Sequence, residues 1–241
     1  WLPGETKIKQ LATQALRADT KKSYLTETLE YIKAVTYKSR KIFDNVPLNL
    51  LPLQNGVLDL ETRELIKYSP EMFFTSRLGV KYNPDAECPA IEEFLLKVVD
   101  RKDIELLKEI PAYCLWRSYP IQKAFMFIGD GSNGKSTYLS TLGAYLGHDN
   151  VSAVSLQDLA DNRFASSNLY RKYANIFADL QSTPLRNPGT FKMLTGGDLI
   201  CGERKFKDQF FFLNHAKLLY SANSVPYVQD ESDAYYRRWV M

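Results

Sequence analysis

The chain has 241 residues, enough to bury a real core as one large domain or two small ones. Its 45% hydrophobic and 24% charged residues exclude a disordered or mucin-like chain, and 31 Lys and Arg against 28 Asp and Glu leave a charge of +3 that permits an anionic partner without demanding one. Two His argue against a His-built metal centre, and Cys88, Cys114 and Cys201 form no CxxC pair or disulfide framework, which fits a reducing, cytoplasmic setting.

Residues 5 to about 41 read as helical and basic, with nine Lys or Arg against four Asp or Glu. In the second helix Tyr24, Leu25, Leu29, Ile32 and Val35-Thr36 form an apolar stripe at three- and four-residue spacing. The lysines around it suit either the solvated face of a small bundle or a contact surface for nucleic acid. Pro47 and Pro52 then break any helix. Asn55-Gly56 marks a turn, and Val57 to Ile66 predicts a short hairpin within residues 54–68. Tyr82-Asn83-Pro84-Asp85 and Cys88-Pro89 punctuate the next stretch. Helical spacing returns with Ile91, Phe94, Leu95, Val98 and Val99, and again from Leu106 to Trp116, where Pro111 begins or kinks the helix.

From about residue 119 the pattern becomes α/β. Ala124 to Ile128, Tyr173 to Ala178 and Ala216 to Ala222 are short apolar runs, as expected of strands covered on both faces. Helical or irregular stretches separate them, which predicts a mainly parallel sheet. Phe210-Phe211-Phe212 reads as a further buried strand. The expected organisation is a mainly helical region over 1–118 and an α/β core over 119–241. No apolar run is long enough to span a bilayer, and no signal peptide is visible. The chain opens at Trp1 and stops in what reads as the start of a strand, Arg238-Trp239-Val240-Met241, so it is expected to be a piece of something longer.

One segment dominates the chemistry. Gly129-Asp130-Gly131-Ser132-Asn133-Gly134-Lys135-Ser136-Thr137 matches GxxxxGK[ST] at every fixed position, between an apolar run and a helix. Glycines let such a loop turn tightly and aim its N–H groups inward, and the helix that follows adds the positive end of its dipole. Lys135 can reach the β and γ phosphates of a nucleotide, and the Ser136 hydroxyl can bind Mg²⁺. Asp179, at the end of Asn175-Ile176-Phe177-Ala178, is the acid that would hold Mg²⁺ or orient water; the plainer reading is a loop-capping Asp. Asn223 ends the run Leu218-Leu219-Tyr220-Ser221-Ala222 and either orients the attacking water or is a routine turn former. Asp230, Glu231 and Asp233 read as a solvated loop. Arg237 or Arg238 could reach a neighbouring subunit's γ-phosphate or be a rim residue.

These residues resemble the helicase portion of phage and plasmid primase-helicases, in helicase superfamily 3 of the AAA+ class, over nearly the whole chain. The helical start with Asn55-Gly56-Val57-Leu58-Asp59-Leu60 and Tyr82 to Pro89 is similar to the family's pre-helicase domain. Asn133 before Gly134-Lys135-Ser136 is similar to its Walker A. Arg163-Phe164-Ala165 and Leu169 match a stretch before its Walker B, and Asp179 stands where the family more often has Glu. Asn223 matches the sensor of motif C. Phe191 to Asp198, then Glu203-Arg204-Lys205-Phe206-Lys207-Asp208, resembles motif B′, which in the family carries a DNA-gripping hairpin or loop. Arg204, Lys205 and Lys207 flank Phe206, so cations for phosphates stand beside a ring able to stack on a base, although a charged hairpin tip would look the same.

The resemblance implies a P-loop NTPase core of AAA+ type, ATP and Mg²⁺ at subunit interfaces, and rings that are typically hexameric. It also implies travel along single-stranded DNA, an arginine finger after motif C, and a primase domain upstream in the same polypeptide. A virus- or plasmid-bearing host cytoplasm and no membrane partner go with it. Two other readings stay open: a P-loop ATPase that remodels protein, and a nucleotide-binding scaffold that recruits other proteins with little turnover.

Overall fold

The computed structural model describes residues 4–43, 46–185, 187–228 and 232–241. Compactness divides the chain at 45/46, ahead of the boundary near 118 read from the sequence, into units spanning 1–45 and 46–241.

The first unit holds α1 (Gly4–Leu16), a 3-10 turn and α2 (Lys22–Val35). Lys33 bridges Glu5 at 2.9 Å and Glu30 at 3.1 Å, so an α2 lysine ties the start of α1. The stripe predicted for α2 is divided by the structure. Leu29 is buried, but Tyr24 and Val35 are exposed. At 100° per residue those two lie well round the helix from Leu29, so one narrow contact cannot cover the whole set.

The second unit opens with a three-stranded antiparallel sheet: β1 (Leu50–Leu53), β2 (Gly56–Asp59) and β3 (Leu65–Ile66). The predicted β2–β3 hairpin is present, with Val57 opposite Ile66. Strand β1 carries Pro52, which is tolerated because β1 is an edge strand of this sheet. Asn55 accepts from Tyr82 N at 3.0 Å and donates to Tyr82 O at 2.9 Å, so the two turn motifs hold one another. Helix α3 (Pro89–Val98) starts on proline at its first position, where no N–H is needed. Helix α4 runs Arg101–Leu115, so Pro111 lies inside it and does not begin it.

A five-stranded parallel sheet follows. Its strands are β4 (Ala124–Ile128), β5 (Val151–Ser152), β6 (Ala174–Phe177), β9 (Lys217–Ala222) and β10 (Trp239–Val240), in the order β10-β4-β9-β6-β5. Between them run α5 (Lys135–Leu146), α6 (Leu156–Asp161), α7 (Gly189–Gly196), the antiparallel pair β7 (Leu199–Gly202) and β8 (Phe210–Leu213), and α8 (Asp233–Tyr236).

Strand alternation sends side chains to opposite faces. Met126, Leu218, Tyr220 and Ala222 join Leu156, Leu159, Phe191 and Leu194 in one core. Phe125 and Leu219 join Leu139, Leu142, Leu95, Ile110, Leu51 and Leu58 in the other. The segment 46–115 therefore packs directly on the sheet. Both faces are covered, which is why these strands read as continuous apolar runs. Phe210 to Phe212 is a strand but is not buried throughout. Phe212 is 6% exposed and Phe211 65%, because β7–β8 is covered on one face.

Candidate functional site

In a parallel sheet every strand ends at the same edge, so strand order decides which loops meet. Strand β9 lies between β4 and β6, with Ile128 beside Ala222 and Phe177 beside Tyr220. The loop after β4, Asn223 after β9 and Asp179 after β6 therefore emerge side by side. They surround a cavity of about 370 Å³ lined by residues 131–137, Ala178, Asp179 and 221–223.

The loop itself is a tight turn. Gly134 has φ 88° and caps α5, and a Cβ there would stand 2.7 Å from Val98 of α3. A Cβ on Gly129 would stand 2.2 Å from Asn133 Nδ2. Glycine is favoured at both positions by backbone angle, and at Gly134 also by space, since β-branched Val98 cannot swing away as the Asn133 amide can. Ser132 also has a positive φ, of 60°. Lys135 Nζ donates to the carbonyls of Gly129 and of Asp130, the latter at 2.8 Å, and to Asn133 Oδ1 at 2.9 Å. Three loop oxygens thus hold an ammonium with three N–H bonds at the cavity's edge. Ser136 and Thr137 are exposed in the first turn of α5, where backbone N–H groups lack helical partners.

Asp179 is exposed and has φ 61°, a left-handed conformation that is uncommon for a residue with a side chain. Ser221 holds it there. The Asp179 N–H donates to Ser221 Oγ at 3.2 Å, and the Leu180 N–H to Ser221 O at 2.7 Å. Buried Leu180 then anchors the chain beyond. The strained conformation at this strand end is thus fixed by a neighbouring strand. Sequence reading did not single out Ser221 or Val98. The signal for Ser221 was a hydroxyl in an otherwise apolar run; for Val98 there was none, since its contact with Gly134 is tertiary.

Among the described residues, no group of three or more His, Cys, Asp or Glu forms a ready-made metal cage. Ser136 and Asp179 are hard oxygen donors that both line one cavity, a set that fits Mg²⁺, which binds few protein ligands and relies on phosphates and water. A second cavity, of about 330 Å³, shares Asn133, Gly134 and Lys135 with the first. Its walls are mainly apolar, among them Val98, Leu106, Ile110 and Phe127, with Asp103 beside them.

The remaining predicted residues lie elsewhere. Arg204, Lys205, Phe206 and Lys207 occupy the turn between β7 and β8. Phe206 is fully exposed with φ 60°, and the Lys207 N–H donates to Arg204 O at 3.1 Å to close the turn. Arg204 packs back over the Phe210 ring, 5.2 Å from its centroid. Arg237 is exposed, whereas Arg238 is 9% exposed and donates to the Ala234 carbonyl within its own chain. Both precede β10, at the edge of the sheet opposite the cavity, because Trp239 pairs with Ala124. Asp230 and Glu231 lie outside the described residues.

Two family models match the chain. Residues 4–100 match one described as D5 N terminal like, and residues 127–238 match a family of unknown function (DUF5906). The chain is 25% identical over 201 residues to the protein named "Putative helicase L207/L206" of Acanthamoeba polyphaga mimivirus. That match covers 78% of this chain and 21% of the relative, so the chain spans about a fifth of the curated protein it resembles. Two apo structures of the NrS-1 C terminal region superpose with a TM-score of 0.52 at 20% and 21% identity, over 66% of this chain and 38% of theirs. At such identity the likeness is one of fold: a helical region followed by a mixed α/β domain with a parallel sheet. Among the described residues, no helix is long and apolar enough to cross a membrane.

Proposed function

We propose that this chain is the ATP-hydrolysing motor portion of a primase-helicase, a superfamily 3 helicase with a P-loop core of AAA+ type that moves on single-stranded DNA. The observation that carries the reading is the meeting of three strand ends, which brings the 129–137 loop, Asp179 and Asn223 around one cavity. On this reading the ATPase core occupies 119–241, and 46–118 packs on it as the preceding region.

The loop amides and the amino end of α5 would hold the nucleotide's phosphates, which would take over the Lys135 N–H bonds now made to loop oxygens. The apolar cavity beside Val98 and Leu106 would take the nucleoside. Mg²⁺, held between Ser136 and Asp179, would neutralise charge on the phosphates. Asp179 would accept a proton or hydrogen bond from the attacking water, and Asn223 would orient that water or read the γ-phosphate. In a ring, typically hexameric, the exposed Arg237 is better disposed than Arg238 to reach a neighbour's nucleotide.

Lys205 and Lys207 would contact DNA phosphates and Phe206 would stack on a base, a grip that is salt-sensitive and mostly blind to sequence. The mimivirus relative's printed name and the D5-like match support a helicase setting, with a primase domain expected upstream.

The test is ATP turnover with and without single-stranded DNA. Lys135→Ala should abolish hydrolysis while leaving the fold intact, and Lys205→Ala with Lys207→Ala should remove most of the DNA stimulation. Unchanged turnover in Lys135→Ala would sink the nucleotide assignment. Hydrolysis indifferent to DNA would favour protein remodelling, and ATP binding with no turnover a scaffold.

A further inference from the structure

Between the Asp179 loop and the basic tip lies a stretch with no task in the scheme above: residues 155–169, made of α6 and the 3-10 turn Ala165–Leu169. It is bonded at both ends, to different parts of the site. At one end Gln157 Nε2 donates to the carbonyls of Gln181 and Thr183, each at 3.1 Å. Those carbonyls belong to the loop that leaves Asp179. At the other end Ser166 Oγ donates to Cys201 O at 3.3 Å, and Arg163 Nε lies 3.4 Å from Glu203. Glu203 is where β7 turns into the tip, and it also accepts from Gln209 Nε2 at 2.9 Å on the returning leg.

The stretch is built to be stiff. Ser155 Oγ accepts from the Asp158 N–H at 3.0 Å and caps α6. Asn162 Oδ1 accepts from the Phe164 N–H at 3.0 Å where the chain bends. Leu156, Leu159, Ala165 and Leu169 are buried in one core with Leu180, Ile200 and Phe212. A densely packed element joined at both ends does not shift at one without disturbing the other. Glu203 is also out of place by charge alone. A carboxylate at the base of a phosphate-binding tip opposes the ligand, so its bridge to Arg163 and Gln209 is the better account of it.

We propose that residues 155–169 are a connecting arm, with Gln157 and Glu203 as positioning residues through which the loop after Asp179 and the β7–β8 tip set each other's placement. The inference rests on the reading of the chain as a DNA-stimulated ATPase. It adds that the stimulation passes through this arm, and that nucleotide and DNA change one another's affinity by the same factor.

The experiment measures basal ATPase, ATPase at saturating oligothymidylate, and oligothymidylate affinity by fluorescence anisotropy. The proteins are wild type, Gln157→Ala, Arg163→Glu, Glu203→Arg and the reversed pair Arg163→Glu/Glu203→Arg. Gln157→Ala and Arg163→Glu should keep basal turnover within about twofold and lose about fivefold or more of the stimulation. The reversed pair should recover most of what Arg163→Glu loses. Stimulation retained in either Gln157→Ala or Arg163→Glu, while wild type is stimulated, overturns the arm alone. Basal and stimulated rates falling together also overturn it, since the residues would then be merely structural. A wild type that hydrolyses ATP without responding to the oligonucleotide overturns the DNA reading, and the arm with it.

Discussion

The two edges of the central sheet hold similar residues in opposite circumstances. At the carboxyl edge Lys135, Asp179 and Asn223 line an open cavity, and Ser132 and Asp179 adopt left-handed backbone angles. At the amino edge Lys217 and Tyr119 are packed away. Lys217 is fully buried, donates to Trp116 O at 2.6 Å and His215 O at 2.9 Å, and lies between the rings of Tyr113 and Tyr119. The Tyr119 hydroxyl donates to Ala216 O at 3.1 Å and accepts from the Leu218 N–H at 2.9 Å. Polar groups bonded inside the fold serve the fold. Those around the cavity are the ones the proposed function assigns to a ligand.

The contrast can be broken most sharply at Asp179. Asp179→Asn should lower ATP turnover by about 100-fold or more while nucleotide binding and thermal stability stay close to wild type. A variant that unfolds instead would move Asp179 into the class of Lys217, and calorimetry beside a turnover assay separates the two outcomes.

At the opposite edge the expected effect is on stability. Burial without a carboxylate partner pushes the Lys217 amine down to about 7, and a neutral amine has two N–H bonds for its two carbonyls. The folded state therefore releases this proton at lower pH than the unfolded chain, whose lysine titrates near 10.4. Stability from this group is full above the unfolded value and falls, by about 1.4 kcal/mol per pH unit, as pH drops toward 7. Denaturant titrations from pH 7 to 10 should show that slope in wild type and not in Lys217→Met. An unchanged slope in the variant would remove Lys217 as its source.

Tyr119→Phe sharpens the comparison at smaller scale. It leaves the Leu218 N–H and Ala216 carbonyl without this hydroxyl, and should cost about 1–3 kcal/mol with ATP turnover unchanged. Lost turnover at unchanged stability would show the amino edge to be part of the motor after all.

Much of the fold was legible because covering both sheet faces demands continuous apolar runs. Ala124 to Ile128, Tyr173 to Ala178 and Ala216 to Ala222 each hold a strand. The apolar stripe of α2 and the Phe210 to Phe212 run were read less well. Periodicity says which residues share a face, and an apolar triplet does not say that only one face of its strand is covered.

The local chemistry of the chain determined the glycine-rich 129–137 loop. Glycine spacing, a preceding strand and a following helix are short-range requirements, and nine consecutive residues satisfy them. Only the tertiary structure decided that β9 lies between β4 and β6. That order is set by how two apolar faces are shared among distant segments, and it carries Asn223 and Asp179, far apart along the chain, to the same cavity. The bonds of Ser221 to the Asp179 turn and of Gln157 to the loop beyond arise in the same way, from elements that meet after packing and share no pattern beforehand.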